Sequence, residues 1–116
     1  MKTRLGYAIA FTIILVVTSI IPLPELPTPP GPSLEDVFSL SHIVSYIICG
    51  YLWLLALGLT IEFLLIAVII APLTEIAQIP IPYRYACIND FISNIIGLII
   101  ATFLYIMLSK RYKKKR

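Results

Sequence analysis

Charge is scarce in this chain: Asp, Glu, Lys and Arg make up 13% of its 116 residues, and the mean hydropathy is +0.97. So apolar a balance excludes a soluble domain of this size. Cysteine is equally rare, and the two present, Cys49 and Cys87, have neither close pairing nor metal-ligand spacing. Both lie in or beside apolar sequence, where a thiol packs as a small apolar group rather than in a disulfide. With one histidine and no dense run of metal ligands, no metal and no cofactor is expected.

Apolar length is what the chain has in quantity, with 59% hydrophobic residues. At about 20 residues per span there is room for roughly three or four spans and no soluble domain. The expected fold is all-α, an integral membrane bundle of four transmembrane helices forming a single domain over residues 1–116. The net charge of +3 does not point to nucleic acid, because six of the nine basic residues fall in the last seven positions, Lys110 to Arg116. A basic cluster beside a span is an orientation signal first, and its ordinary task is topology rather than binding anionic lipid.

Met1-Lys2-Thr3-Arg4 is a short basic start to an apolar run that predicts the first helix at about 5–21. A signal peptide has the same pattern, but Val17 and Ser19 make a poor cleavage site and the run is longer than most. Residues 22–32 hold six of the nine prolines. Proline donates no amide hydrogen and clashes within a helix, so this segment is an extended outer connector. Ser33 and Asp36 then have capping-box spacing and open a second helix at 34–57, embedded from about Leu40.

Apolar sequence continues to Leu73, too far for one span. A helical hairpin turning at Gly58 to Glu62 resolves this, glycine supplying the permissive backbone; one long tilted helix is the alternative. The third helix is expected at 62–78, kinked by Pro72 and ended by Ile79-Pro80-Ile81-Pro82. Tyr83-Arg84-Tyr85 suits interface depth, and the fourth helix follows at 89–109. Lys and Arg number two at the start, none in the proline-rich connector, one between the third and fourth helices and six at the end. Both termini should then be cytoplasmic, which four spans satisfy and three do not.

That topology brings His42, Tyr46, Glu75, Gln78, Arg84, Asp90 and Asn94 within about two turns of the outer surface, across as many as 52 positions of sequence. An ionised group deep in the bilayer costs roughly 3 kcal/mol or more unless paired or hydrated, so Glu75 and Asp90 should face the bundle or a wet pocket. Arg84 is the natural partner for either carboxylate. His42, Tyr46 and Gly50 lie within about 80° of one helical face, with Trp53 continuing the stripe. Asp90, Asn94, Gly97 and Ala101 share about 60° of another, and Gly97 and Ala101 invite close helix approach.

Each residue also has a plainer reading. Asp90 can simply cap the fourth helix and favour its dipole. Asn94 and Gln78 can be interhelical hydrogen-bond glue, Glu75 and Arg84 a structural ion pair, and His42 an interfacial histidine. A metal at His42, Glu75 and Asp90 is chemically allowed but has no dense ligand motif behind it.

These residues resemble the VanZ-like family of small bacterial and archaeal membrane proteins. The resemblance rests on His42, Tyr46 and Gly50 at four-residue steps, on Glu75 and Gln78, and on Pro82, Arg84, Asp90, Asn94 and Gly97. It runs from His42 to about Tyr105, roughly 64 of 116 residues. The first helix and the proline-rich connector match only in position. Phe38 stands where the family commonly has an acidic residue, and Tyr83 where it has glycine; its middle connection is often longer and more basic. The resemblance implies a prokaryotic, multi-pass cell-membrane protein, the founding member of the family being linked to teicoplanin resistance, with no settled reaction.

The expected function is an outward-facing polar pocket that binds a cell-envelope lipid or lipid-linked glycan, with membrane lipids as surroundings. One alternative is an enzyme on such a substrate, with His42 as general acid or base, Glu75 or Asp90 as second carboxylate and Arg84 holding a phosphate. The other is a structural or partner-binding protein whose polar residues only lock the bundle. Oligomeric state is left open.

Overall fold

A computed structural model describes residues 2–21, 34–80 and 88–115, with the backbone alone over 34–39. The proline-rich connector, the Ser33 and Asp36 cap, and Pro82, Arg84 and Cys87 lie outside the described side chains. Four helices follow in order: α1 Lys2–Ile20, α2 Leu34–Leu57, α3 Ile61–Gln78 and α4 Ile88–Lys115. Each has the length and hydropathy to cross a membrane, and the described residues contain no strand. The fold is an all-α bundle of four membrane-spanning helices.

The distribution of side chains is inverted relative to a soluble protein. Val68 is 73% exposed and Ile69 62%, whereas Asn94, Thr74 and Gln78 are almost wholly buried. Lipid is as apolar as leucine, so burying leucine against leucine gains little there; polar groups, which find no partner in hydrocarbon, turn inward. The interior therefore combines a few apolar residues, among them Leu54, Phe63, Ile70 and Leu98, with hydroxyl and amide groups.

The α2–α3 connection is a tight hairpin, narrower than the expected 58–62. Gly58 adopts φ +74°, a conformation that side chains with a Cβ rarely take, and its N–H donates to Leu54 O at 2.7 Å. Thr60 then caps α3, its hydroxyl accepting from Phe63 N–H. One long helix is thereby excluded. Pro72 lies inside α3 without ending it. At the other end of the chain α4 runs six residues beyond the expected 109, because lysine and arginine are good helix formers and favour the negative end of the helix dipole. Lys2 and Arg4 also join α1, by helix propensity alone, since the dipole disfavours cations at a helix N-terminus.

α2 packs on α1, α3 and α4, most extensively on α4. The α2–α4 seam is close because it is lined by small residues. A Cβ on Gly97 would stand 2.7 Å from Ile43 O and 2.7 Å from Tyr46 Cβ, and one on Gly50 would meet Ala101 Cβ at 3.1 Å. Arg4, at the start of α1, reaches Leu55 O near the hairpin. That places the two starting basic residues and the hairpin at one end of the bundle. The ends of α1 and α3 and the starts of α2 and α4 share the opposite end.

Candidate functional site

The opposite end holds the polar residues. In α3, Glu75 and Gln78 come from the last turn, and Thr74 precedes Glu75; in α4, Asp90 lies in the first turn, with Asn94 one turn further in. His42 is near the start of the embedded part of α2, and Tyr46 is one turn deeper. At 1.5 Å rise per residue, His42, Glu75 and Asp90 all lie within about 5 Å of the span ends.

The deepest layer is a closed hydrogen-bond network. Tyr46 donates its hydroxyl proton to Ile70 O at 2.7 Å, so Thr74, 3.0 Å away, must donate to Tyr46. Asn94 donates its amide protons to Ala71 O at 2.9 Å and to Thr74 Oγ1 at 3.3 Å. Both carbonyls retain a lone pair for these donors beside their helical bonds. With its NH2 group so engaged, Asn94 turns its oxygen to His42, 3.0 Å from Nδ1. That oxygen only accepts, so Nδ1 carries a proton and Nε2 is the nitrogen left on the far side of the ring, facing Asp90.

Two carboxylates complete the upper layer. Asp90 Oδ2 lies 3.9 Å from His42 Nε2, and Glu75 Oε1 lies 3.9 Å from Nδ1. Neither distance is that of a hydrogen bond. One donor atom each from His42, Glu75 and Asp90 falls within 4.8 Å of the others, the spacing of residues able to hold a metal ion. The His42 and Asp90 side chains remain 15% and 18% exposed, and that of Glu75 9%, so the layer is accessible from the end of the bundle while Asn94 beneath it is sealed.

Two depressions flank this cluster. A cavity of about 150 Å³ adjoins His42, lined by hydroxyls of Thr18, Ser19, Ser41, Ser45 and Thr74. On the lipid side an apolar groove of about 610 Å³ runs between α3 and α4 from Phe103 to Phe91 and Ala71, the last of which carries the carbonyl bonded by Asn94.

The structure thus brings together His42, Tyr46, Glu75, Asp90 and Asn94, with Tyr46 below the cluster and its hydroxyl already engaged. Gln78 goes elsewhere: its amide donates to Ser19 O at 3.2 Å and ties α3 to α1. Arg84 lies outside the described residues. Gly50, Gly97 and Ala101 line the α2–α4 seam. Trp53, further along the same helix, donates its indole N–H to Thr12 Oγ1 on α1 at 2.9 Å.

Two polar residues central to this arrangement escaped the sequence reading, Thr74 and Thr12. Hydroxyls in apolar helices commonly bond back to their own helix, as Ser93 does to Asn89 O and Thr102 to Leu98 O, so they give no signal of an interhelical role. The one available clue was that Thr74 and Gln78 are four residues apart on a single face. Compared with models of known protein families, with curated proteins and with solved structures, the chain matches none.

Proposed function

We propose that this end of the bundle is an outward-facing site for the polar head of a cell-envelope lipid or lipid-linked glycan, in a VanZ-like protein of the cell membrane. The observation that carries the reading is the two-layer construction: His42 and Asp90 are accessible, while Asn94, Thr74 and Tyr46 beneath them are buried and hydrogen-bonded to one another. A bundle locked only by polar glue has no need of accessible ionisable groups held above a finished network. The apolar groove ending at Phe91 and Ala71 gives the hydrocarbon chain of such a ligand a path along α3 and α4 with its head at the cluster. Support for the family assignment is the order and spacing of His42, Tyr46, Gly50, Glu75, Asp90, Asn94 and Gly97.

The test is retention of a polyprenyl phosphate by the protein in nanodiscs of neutral phospholipid, read by native mass spectrometry. Wild type should keep the lipid, and His42→Ala and Asp90→Ala should lose it. Glu62→Gln, which removes an exposed carboxylate at the hairpin end, should keep it. Equal retention by all four proteins contradicts the reading.

One observation favours catalysis on the same ligand. Asn94 fixes the His42 tautomer and leaves Nε2 open beside Asp90, the arrangement a general base requires. Head-group release lost in Asp90→Asn while the lipid is still retained supports this reading, and no release by wild type opposes it.

A further inference from the structure

We propose that His42, Glu75 and Asp90 hold one divalent transition-metal ion, Zn²⁺ or Mn²⁺, whose open coordination positions take the phosphate of the lipid head. The second half of this inference rests on the lipid-head reading above, but the ion does not.

The donor set comes first. Three helices each contribute one side chain, and one donor atom from each lies within 4.8 Å of the other two. Metal–nitrogen and metal–oxygen bonds of about 2.0–2.2 Å put two ligand atoms of one tetrahedral ion roughly 3.3–3.6 Å apart. The 3.9 Å between His42 Nε2 and Asp90 Oδ2 is too long for a hydrogen bond and within a side-chain adjustment of that spacing, so an ion would draw the two together. An imidazole beside two carboxylates selects zinc, manganese or iron over magnesium and calcium, which take oxygen alone. Three protein ligands leave positions open, as in catalytic rather than structural sites.

Orientation of the histidine is an independent observation. Metal-bound histidines almost always donate their other ring N–H to a fixed acceptor, which sets the tautomer. Here Asn94 Oδ1 is that acceptor at 3.0 Å, and Asn94 is itself held by Ala71 O and Thr74 Oγ1. Nε2 is thereby the ring atom turned toward Asp90, available to an ion shared with its carboxylate. Asn94 acts as a positioning residue.

Charge supplies the functional consequence. Carboxylates within a few ångströms of a binding pocket repel a phosphate. A divalent ion at the cluster would present positive charge to the anion.

The experiment uses untagged, chelator-stripped protein in detergent, loaded with Zn²⁺ or Mn²⁺ alone and dialysed, with metal per chain measured by mass spectrometry. Co²⁺ loading, read by visible absorption, reports the ligand field directly. Wild type should retain one ion per chain. His42→Ala and Asp90→Asn should weaken binding at least tenfold, Asn94→Ala by about 10–100-fold with altered Co²⁺ bands, and Glu62→Gln not at all. Less than a tenth of an ion on wild type, or equal retention in His42→Ala, overturns the proposal. Should His42→Ala fail to fold, Asp90→Asn at its partly exposed position decides. Polyprenyl phosphate retained by wild type in excess chelator overturns the role of the ion in holding the lipid while leaving the lipid site intact. One tightly bound ion with no lipid retention upholds the ion and removes the lipid-head reading.

Discussion

Asn94 on α4 holds the ring of His42 on α2 at 3.0 Å across the most extensive helix seam in the bundle. One amide links three helices, since its two donors bond Ala71 O and Thr74 Oγ1 on α3. Truncating it to alanine removes three interhelical hydrogen bonds, the two it donates to α3 and the one it accepts from His42 Nδ1–H. Interhelical hydrogen bonds in membranes average about 0.6 kcal/mol and reach about 1.7, so loss of three should cost about 2–4 kcal/mol. Urea or SDS unfolding of Asn94→Ala in mixed micelles measures this, and a cost below about 0.5 kcal/mol contradicts the network.

The seam itself is tested with glycines. Gly97→Ala places a methyl 2.7 Å from the Ile43 carbonyl and from Tyr46 Cβ, and backbone cannot give way as a flexible side chain would. Overpacking of this kind costs about 1–3 kcal/mol. Gly50→Ala, with nearest contacts of 3.0 and 3.1 Å, should cost less, and Gly6→Ala, with nothing within 4 Å, should be neutral or stabilising. Thermal melts of the three variants should rank in that order.

Gly58 is a different case, because space is available around it but its backbone is left-handed at φ +74°. A left-handed conformation costs an L-residue roughly 1–2 kcal/mol. Gly58→Ala should be destabilised by that amount, while Gly58→Asn, which tolerates the conformation, should recover part of it in the same melt.

Trp53 is the sole tryptophan and reports on α1 docking. Its indole N–H donates to Thr12 Oγ1, which in turn donates to Ala8 O at 2.8 Å. Thr12→Val keeps the shape and removes the acceptor, leaving a buried donor unpaired at a cost of about 1–3 kcal/mol. Its fluorescence emission should shift to shorter wavelength; an unchanged spectrum and unchanged stability place Trp53 away from α1.

Much of this was legible in the residues. An apolar run too long for one span, broken only by Gly58 and Glu62, left a hairpin as the simplest solution, and α2 and α3 form one. The polar residues at 42, 75, 90 and 94 could be gathered at one end once the four spans were drawn, because topology alone aligns their helix ends. What could not be read was how a central helix divides its face. His42, Tyr46 and Gly50 span about 80° of α2, but α2 has neighbours on three sides, so Tyr46 bonds to α3, Gly50 packs on α4 and Trp53 reaches α1. Gln78, similarly, belongs to α1 through Ser19 and not to the cluster. Hydropathy marks where a helix leaves the membrane, not where it ends, and α4 therefore runs on to Lys115.

The central claim is that His42 and Asp90, 48 positions apart in sequence, face one site open at the outer end of the bundle. Single cysteines at 42, 78 and 90, in a background lacking Cys49 and Cys87, can be treated in intact cells with a membrane-impermeant thiol reagent. Labelling at 42 and 90 with protection at the buried position 78 is the predicted result. Labelling at 90 with protection at 42, or labelling of either only after the membrane is opened, contradicts a shared outward-facing site.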